Sequence, residues 1–298
     1  MNRRQVLIAG LAGLASCKKA ADPSAALKLQ LNWLPEAEHG GYYQALAEKL
    51  FEQAGVRLEI HPGASGMPVE TEVASGRAAF GVIAADKLLQ VQENGLKLRP
   101  LLAPIKHTRR CLVVRDESPV RGFDTLAQAR TLSINPSLPF WKWLQHLHPE
   151  LEKLSTVAYN QQLFLGGQAD LIQGYANSEP ILFAAKKLKC RTLMVSDTGF
   201  DPYAAMLVCS EAYALAQPEI VQAVTAAARS GWLSYLKSPA PAHALIAREN
   251  PAAAEHLEAS SVALKAFCDS GDKFGAIDPE RMKTLADQLR QAGILKKG

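Results

Sequence analysis

Short apolar runs alternate with helical segments in two successive sets, and an all-helical tail follows, which limits this chain to α/β architectures. The first set predicts strands at 27–32, 56–61, 79–83 and 97–102, with helices at 40–54, 68–75 and 87–94 between them. A strand at 111–115 runs into a polar turn. The second set then predicts strands at 131–135, 155–158, 170–174 and 191–195, with helices between. The last clear strand is 204–209. Beyond it, helices at 218–236, 241–248, 251–267 and 279–291 each begin at or near a proline, which suits a first helical turn.

One βα set is thus interrupted by a second, and the chain returns to complete the first. The expected layout is two α/β lobes, 27–110 plus 208–298 and 111–207, holding two mainly parallel sheets flanked by helices. Two hinge strands, near 110–114 and 204–208, would join them. A clamp of this kind closes on a ligand by hinge motion. A single doubly wound sheet is the alternative that periodicity leaves open.

The N-terminal residues carry an export pattern. Arg3 and Arg4 precede an apolar run, 6–15, too short for a stable membrane-spanning helix and of the length of a signal-peptide core. Leu14-Ala15-Ser16-Cys17 has the form of a bacterial lipobox, so 1–17 reads as a lipoprotein signal peptide with Cys17 as the lipidation site. Residues 18–26 read as a polar tether. The expected location is the periplasmic or outer face of a bacterial membrane. Asn2-Arg3-Arg4-Gln5-Val6-Leu7 also loosely resembles a twin-arginine signal.

The formal net charge is +4, and loss of Arg3 and Arg4 leaves 31 − 29 = +2, no footprint for nucleic acid. Cys111, Cys190 and Cys209 lie in apolar, strand-like runs and read as buried small hydrophobes; with Cys268, none has metal-ligand spacing. His146 and His148 lack a matching third ligand. No metal and no cofactor is expected.

Function concentrates where Leu29-Gln30-Leu31-Asn32-Trp33-Leu34-Pro35 meets Glu38-His39-Gly40-Gly41-Tyr42-Tyr43-Gln44-Ala45. A strand ends in Asn32-Trp33 and turns at Pro35 into a helix, which gathers polar and aromatic groups at a strand's carboxyl end. Open α/β sheets place their ligand crevices there.

These residues also carry a resemblance. With Glu48-Lys49-Leu50-Phe51-Glu52-Gln53-Ala54-Gly55, Pro62-Gly63-Ala64-Ser65-Gly66 and Ser75-Gly76-Arg77-Ala78-Ala79-Phe80-Gly81-Val82, the chain resembles the type II periplasmic binding proteins of ABC importers. More narrowly, it looks like the thiamine-precursor-binding branch, which shares its fold with the fungal thiamine-pyrimidine synthase. Gly167-Gln168-Ala169-Asp170-Leu171-Ile172 and Gly174-Tyr175-Ala176-Asn177-Ser178-Glu179-Pro180 extend the likeness into the second lobe. The resemblance implies a substrate-binding component that captures an aminopyrimidine and delivers it to separate permease and ATPase subunits, held near them by its lipid anchor.

The implied site chemistry starts with Trp33 as a stacking face for a flat heteroaromatic, with Tyr175 or Tyr203 facing it from the second lobe. Glu179 would accept from an exocyclic amine; before Pro180 it equally suits a helix start. Asn32 supplies a donor and an acceptor. His39 is either a ligand donor or a cap for the helix opening at Gly40, and at most one of Tyr42 and Tyr43 can face the cleft, Tyr42 being the expected wall. Ser65 and Ser137 lie in loops suited to a ligand contact.

The rival reading from another class is an enzyme. By ungapped alignment, the fungal relative's cofactor-bearing lysine falls on Ile83 and its sacrificial histidine on Lys87, while its cysteine run is reduced to Cys209. That chemistry is missing, so no enzymatic activity is expected. Sister branches binding riboflavin, or sulfonate and nitrate, remain rivals for the ligand, although Glu179 would repel an anion.

Overall fold

A computed structural model describes residues 26–269 and 271–296. The expected signal peptide, its Cys17 and nearly all of the tether lie outside the described residues. In chain order the strands are β1 (Leu27–Gln30), β2 (Leu58–His61), β3 (Phe80–Ile83), β4 (Leu98–Leu102), β5 (Arg110–Arg115), β6 (Leu132–Ser133), β7 (Thr156–Val157), β8 (Leu171–Tyr175), β9 (Cys190–Met194) and β10 (Met206–Ser210). They form two five-stranded sheets, β2-β1-β3-β10-β4 and β7-β6-β8-β5-β9.

In each sheet four strands run one way and one runs against them. β10 is antiparallel to β3 and β4, and β5 is antiparallel to β8 and β9. The sheets are therefore mixed but mainly parallel in direction, and the odd strand of each is the one entered from a crossing between sheets. This excludes the single doubly wound sheet. The crossings lie just ahead of β5 and β10, in 103–109 and 195–205, and a bridge between Ile105 and Ala204 ties them. Asp201 adds to the tie, accepting from the Thr108 amide at 2.6 Å and pairing with His107 Nδ1 at 2.7 Å.

Apolar side chains of β1, β3 and β10 are buried because helices cover both faces, as parallel-type sheets require. Helix Pro218–Lys237 lies on helix Gly40–Ala47, where Trp232 meets Tyr42 edge-on at 5.7 Å. The C-terminal helix Pro279–Gln291 touches both Ala85–Glu93 and Pro139–Leu147, so it spans the two sheets' layers. One apolar cluster runs continuously from Ile83 through Leu112 and Trp141 to Leu285.

Two sequence expectations are corrected here. The helix expected over 40–54 is two helices, Gly40–Ala47 and Leu50–Gln53, because Lys49 adopts a left-handed conformation (φ 57°) that breaks the hydrogen-bond ladder. Cys190 is only half-buried, since β9 is an edge strand; Cys111 and Cys209, in inner strands, are fully buried.

Candidate functional site

A cavity of about 490 Å³ opens between the two sheets, within the usual size of a small-molecule site. Its wall is built from the carboxyl ends of parallel strands. Trp33 follows β1, Asn135 follows β6, Tyr159 follows β7 and Tyr175 ends β8. Arg109 and Arg110 reach the same rim because β5 begins where its antiparallel neighbour β8 ends.

Glu179 opens helix Glu179–Ala185 and turns back over Gly174. Its carboxylate accepts from the Tyr159 hydroxyl at 2.7 Å and from the Tyr175 amide at 2.7 Å. A Cβ at position 174 would lie 2.9 Å from Glu179 Oε2, so glycine is what lets the carboxylate sit there. The Tyr175 hydroxyl accepts from Arg110 at 2.8 Å, and the Arg109 and Arg110 guanidinium carbons lie 4.8 and 4.7 Å from its ring centre.

On the opposite wall, the loop after β1 is pinned from both sides. The Gly63 amide donates to the Trp33 carbonyl at 2.9 Å, and a Cβ at 63 would collide with the Leu31 carbonyl. His39 is fully buried beneath that loop. Its Nδ1 accepts from the Glu36 amide at 3.3 Å, which leaves Nε2 to donate to Asn32 Oδ1 at 3.0 Å. Burial holds the imidazole neutral and lowers its pKa to about 4. Trp33, released by this scaffold, keeps 39% of its surface exposed.

Between the walls sits a buried ion pair. Glu38 accepts from Arg109 Nη2, and Arg109 Nη1 donates to Asn177 Oδ1 at 2.8 Å. Burial opposes both charges, yet Arg109 lowers the Glu38 pKa and Glu38 raises that of Arg109. Glu36 has no such partner: among the described residues no ion pair includes it. Burial first, then Glu38, pushes its pKa up to about 7.

Residues 36–242 match the model of the family described as NMT1/THI5 like. The chain belongs to that family. Similar solved structures include the periplasmic aliphatic sulphonate binding protein SsuA from Escherichia coli, with a TM-score of 0.68 and 15% identity over 91% of this chain and 94% of that one. The Candida albicans CA3427 gene product, described as having the generic periplasmic binding protein fold, aligns with a TM-score of 0.67 and 11% identity over 92% of each chain. The desulfurization enzyme DSZB aligns with a TM-score of 0.59 and 15% identity over 91% of this chain and 94% of that one. At these identities the likeness establishes the periplasmic-binding-protein fold. No curated protein sequence matches the chain.

Of the residues singled out in this NMT1/THI5-like sequence, Asn32, Trp33, Ser65, Tyr175 and Glu179 come together on the cavity wall. Four do not. His39 stands at the cap position of helix Gly40–Ala47 but makes no cap bond, supporting Asn32 and Glu36 instead. Tyr42 is in the core, donating to the Ala205 carbonyl at 3.0 Å, because its helix face is covered by Trp232; Tyr43 is buried too, bonded to Glu249 at 2.6 Å. Neither tyrosine faces the cleft. Tyr203 is buried behind the crossings, its hydroxyl accepting from the Asp278 amide at 3.1 Å and its ring lying under Arg281. Ser137 is exposed at the rim and donates to Asn135 Oδ1 at 2.7 Å, while Asn135 itself reaches the wall.

Glu36, Glu38, Arg109, Arg110 and Tyr159 also line the cavity, and none of them was expected there from the sequence. One signal was available for the arginines: a paired Arg109-Arg110 at the expected start of a hinge strand is an unusual place for two charges. At the fungal enzyme's lysine position, Ile83 is buried in β3, and at its histidine position Lys87 pairs with Glu70 at 2.8 Å.

Proposed function

We propose that this chain is the substrate-binding component of an ABC importer. It is exported, anchored through a lipid on Cys17, and captures a thiamine-precursor-like aminopyrimidine between lobes formed by 27–110 plus 208–298 and by 111–207. Closure presents the loaded protein to a membrane permease driven by a separate ATPase. The observation that carries the reading is the cavity itself, which has Trp33 on one wall and the hydrogen-bonded Glu179 on the other. A flat ring stacked on Trp33 would present its amino group to a carboxylate already oriented by two donors. The wall holds three carboxyl groups (Glu36, Glu38, Glu179) against two guanidinium groups, one of them neutralised by Glu38, a balance that favours a donor-rich or cationic ligand over an anion.

A second reading keeps the transporter and changes the ligand to a sulfonate. Arg110 favours it, since it lies at the cavity with a neutral partner, the Tyr175 hydroxyl. A thermal-shift screen separates the two, using aminopyrimidines, riboflavin, alkanesulfonates and nitrate. A ligand at 100 times its dissociation constant stabilises by about 2.7 kcal/mol and moves the midpoint by several degrees. A shift with aminopyrimidines and none with sulfonates is expected; the reverse result would transfer the ligand role to Arg110.

A further inference from the structure

The cavity does not end at Trp33. Beyond the indole lies a second chamber of about 240 Å³, and Trp33, Glu36, Ser178 and Leu182 line both spaces. The far side of this chamber is formed by 250–260, which comes from the helical tail rather than from the strand ends that make the main site. Its walls are largely apolar: Leu34, Ala37, Leu182, Ala253 and Leu257.

Two polar side chains of the second chamber are tied up within the protein, and Ser178, His256 and Ser260 line it as well. Asn250 donates to the Pro35 carbonyl at 2.9 Å, and Asn177 Oδ1 accepts from Arg109 at 2.8 Å. A space whose walls are mainly apolar, with only a few polar side chains among them, favours apolar surface on a ligand. Its boundary with the main cavity is different in character. Trp33 offers a partly exposed aromatic face there, and the Glu36 carboxyl lies beside it without an ion-pair partner among the described residues. An aromatic face next to a carboxylate is a setting for positive charge.

We infer that the space beyond Trp33 is a second subsite, which takes an apolar extension of the ligand joined to its flat head by a cationic or proton-donating group at Glu36. The ligand is then a two-part heteroaromatic amine rather than a single ring. The inference rests on the heteroaromatic reading of the main cavity. The raised pKa of Glu36 agrees with it, because a cation at the junction would return the carboxyl to its charged form.

Isothermal titration of the intact protein with three probes tests this: 4-amino-5-hydroxymethyl-2-methylpyrimidine as the head alone, the same head joined to a phenyl ring by one methylene, and thiamine, which joins it to a cationic ring. Both two-part probes should bind at least about tenfold more tightly than the head, the equivalent of burying roughly two methylene groups, and thiamine should bind best. Ala253→Phe, which fills the chamber, should remove that gain and leave affinity for the head unchanged. Ala252→Phe at the exposed rim serves the same purpose if the first variant fails to fold. If the head binds and the extensions add nothing, or if their advantage survives filling, the second subsite is wrong and the main reading stands. If no probe binds, the heteroaromatic reading falls and the subsite falls with it.

Discussion

Glu179 and Glu36 approach the cavity from opposite sheets under opposite conditions. Glu179 is held by two donors, the Tyr159 hydroxyl and the Tyr175 amide, and by the room that Gly174 leaves. Glu36 sits in the loop after β1, pushed toward neutrality by burial and by Glu38, with no ion pair among the described residues. The first is an acceptor prepared in advance; the second is a buried carboxyl beside Trp33 that no cation in an ion pair holds charged. Stabilisation of the two walls against each other falls to a third carboxylate, Glu38, through its buried bond to Arg109.

The largest effect is expected at the Glu38–Arg109 pair. Glu38→Ala leaves Arg109 buried and uncompensated, so unfolding in denaturant should show a loss of about 3–5 kcal/mol. A loss under about 1 kcal/mol would mean that the pair does not hold the walls together.

Glu36 and His39 give stability opposite dependences on pH. Glu36, raised from 4.5 to about 7, contributes stability that is full below pH 4.5 and is lost as pH rises through 7, since the folded protein keeps a proton the unfolded chain releases. His39, lowered from 6.5 to about 4, acts with the opposite sign: its contribution is present above pH 6.5 and is lost as pH falls through 4. Glu36→Gln removes the first slope and uncovers the second. Its stability should climb up to about pH 6.5 and exceed wild type above pH 7 by up to about 3 kcal/mol. Parallel profiles for the two proteins would place Glu36 in solvent.

Ligand contacts come next in size. Glu179→Gln cannot accept from both Tyr159 and the Tyr175 amide in the same way, and should weaken aminopyrimidine binding by about 1–3 kcal/mol in calorimetry. Trp33→Ala should cost about 0.5–1.5 kcal/mol of stacking beyond lost contact area while leaving the fold intact, since the indole is partly exposed. Unchanged affinity in both variants would displace the cleft from this position. The smallest effect is expected from Ser137→Ala: stability and affinity should both stay within about 0.5 kcal/mol, because the hydroxyl meets only Asn135 at the exposed rim.

Part of this arrangement is legible in the amino-acid sequence. The strands lie within a few residues of their expected positions, and the last helix, Pro279–Gln291, falls where its proline and periodicity put it. Asn32, Trp33, Tyr175 and Glu179 could be placed near a cleft because a strand's carboxyl end is a local property of the chain, and cleft position in α/β sheets follows from it. Tyr42 and Tyr203 could not be sorted this way. Whether an aromatic beside a strand end faces the cavity or the core depends on which helix covers it, and Trp232 and Arg281 do so from far along the chain. Arg109 could not be matched to a carboxylate from the sequence, because its partner, Glu38, is 71 residues away.

The order and period of the elements, and with them the α/β class and the two-set layout, follow from the sequence alone, because hydrophobic periodicity is written within each segment. The tertiary structure alone decided which carboxyl group is neutralised, which is hydrogen-bonded and which is pushed toward neutrality. Those states depend on burial and on donors brought from other segments, and only the folded chain puts Arg109 beside Glu38 and Tyr159 beside Glu179 while burying Glu36 without an ion-pair partner among the described residues.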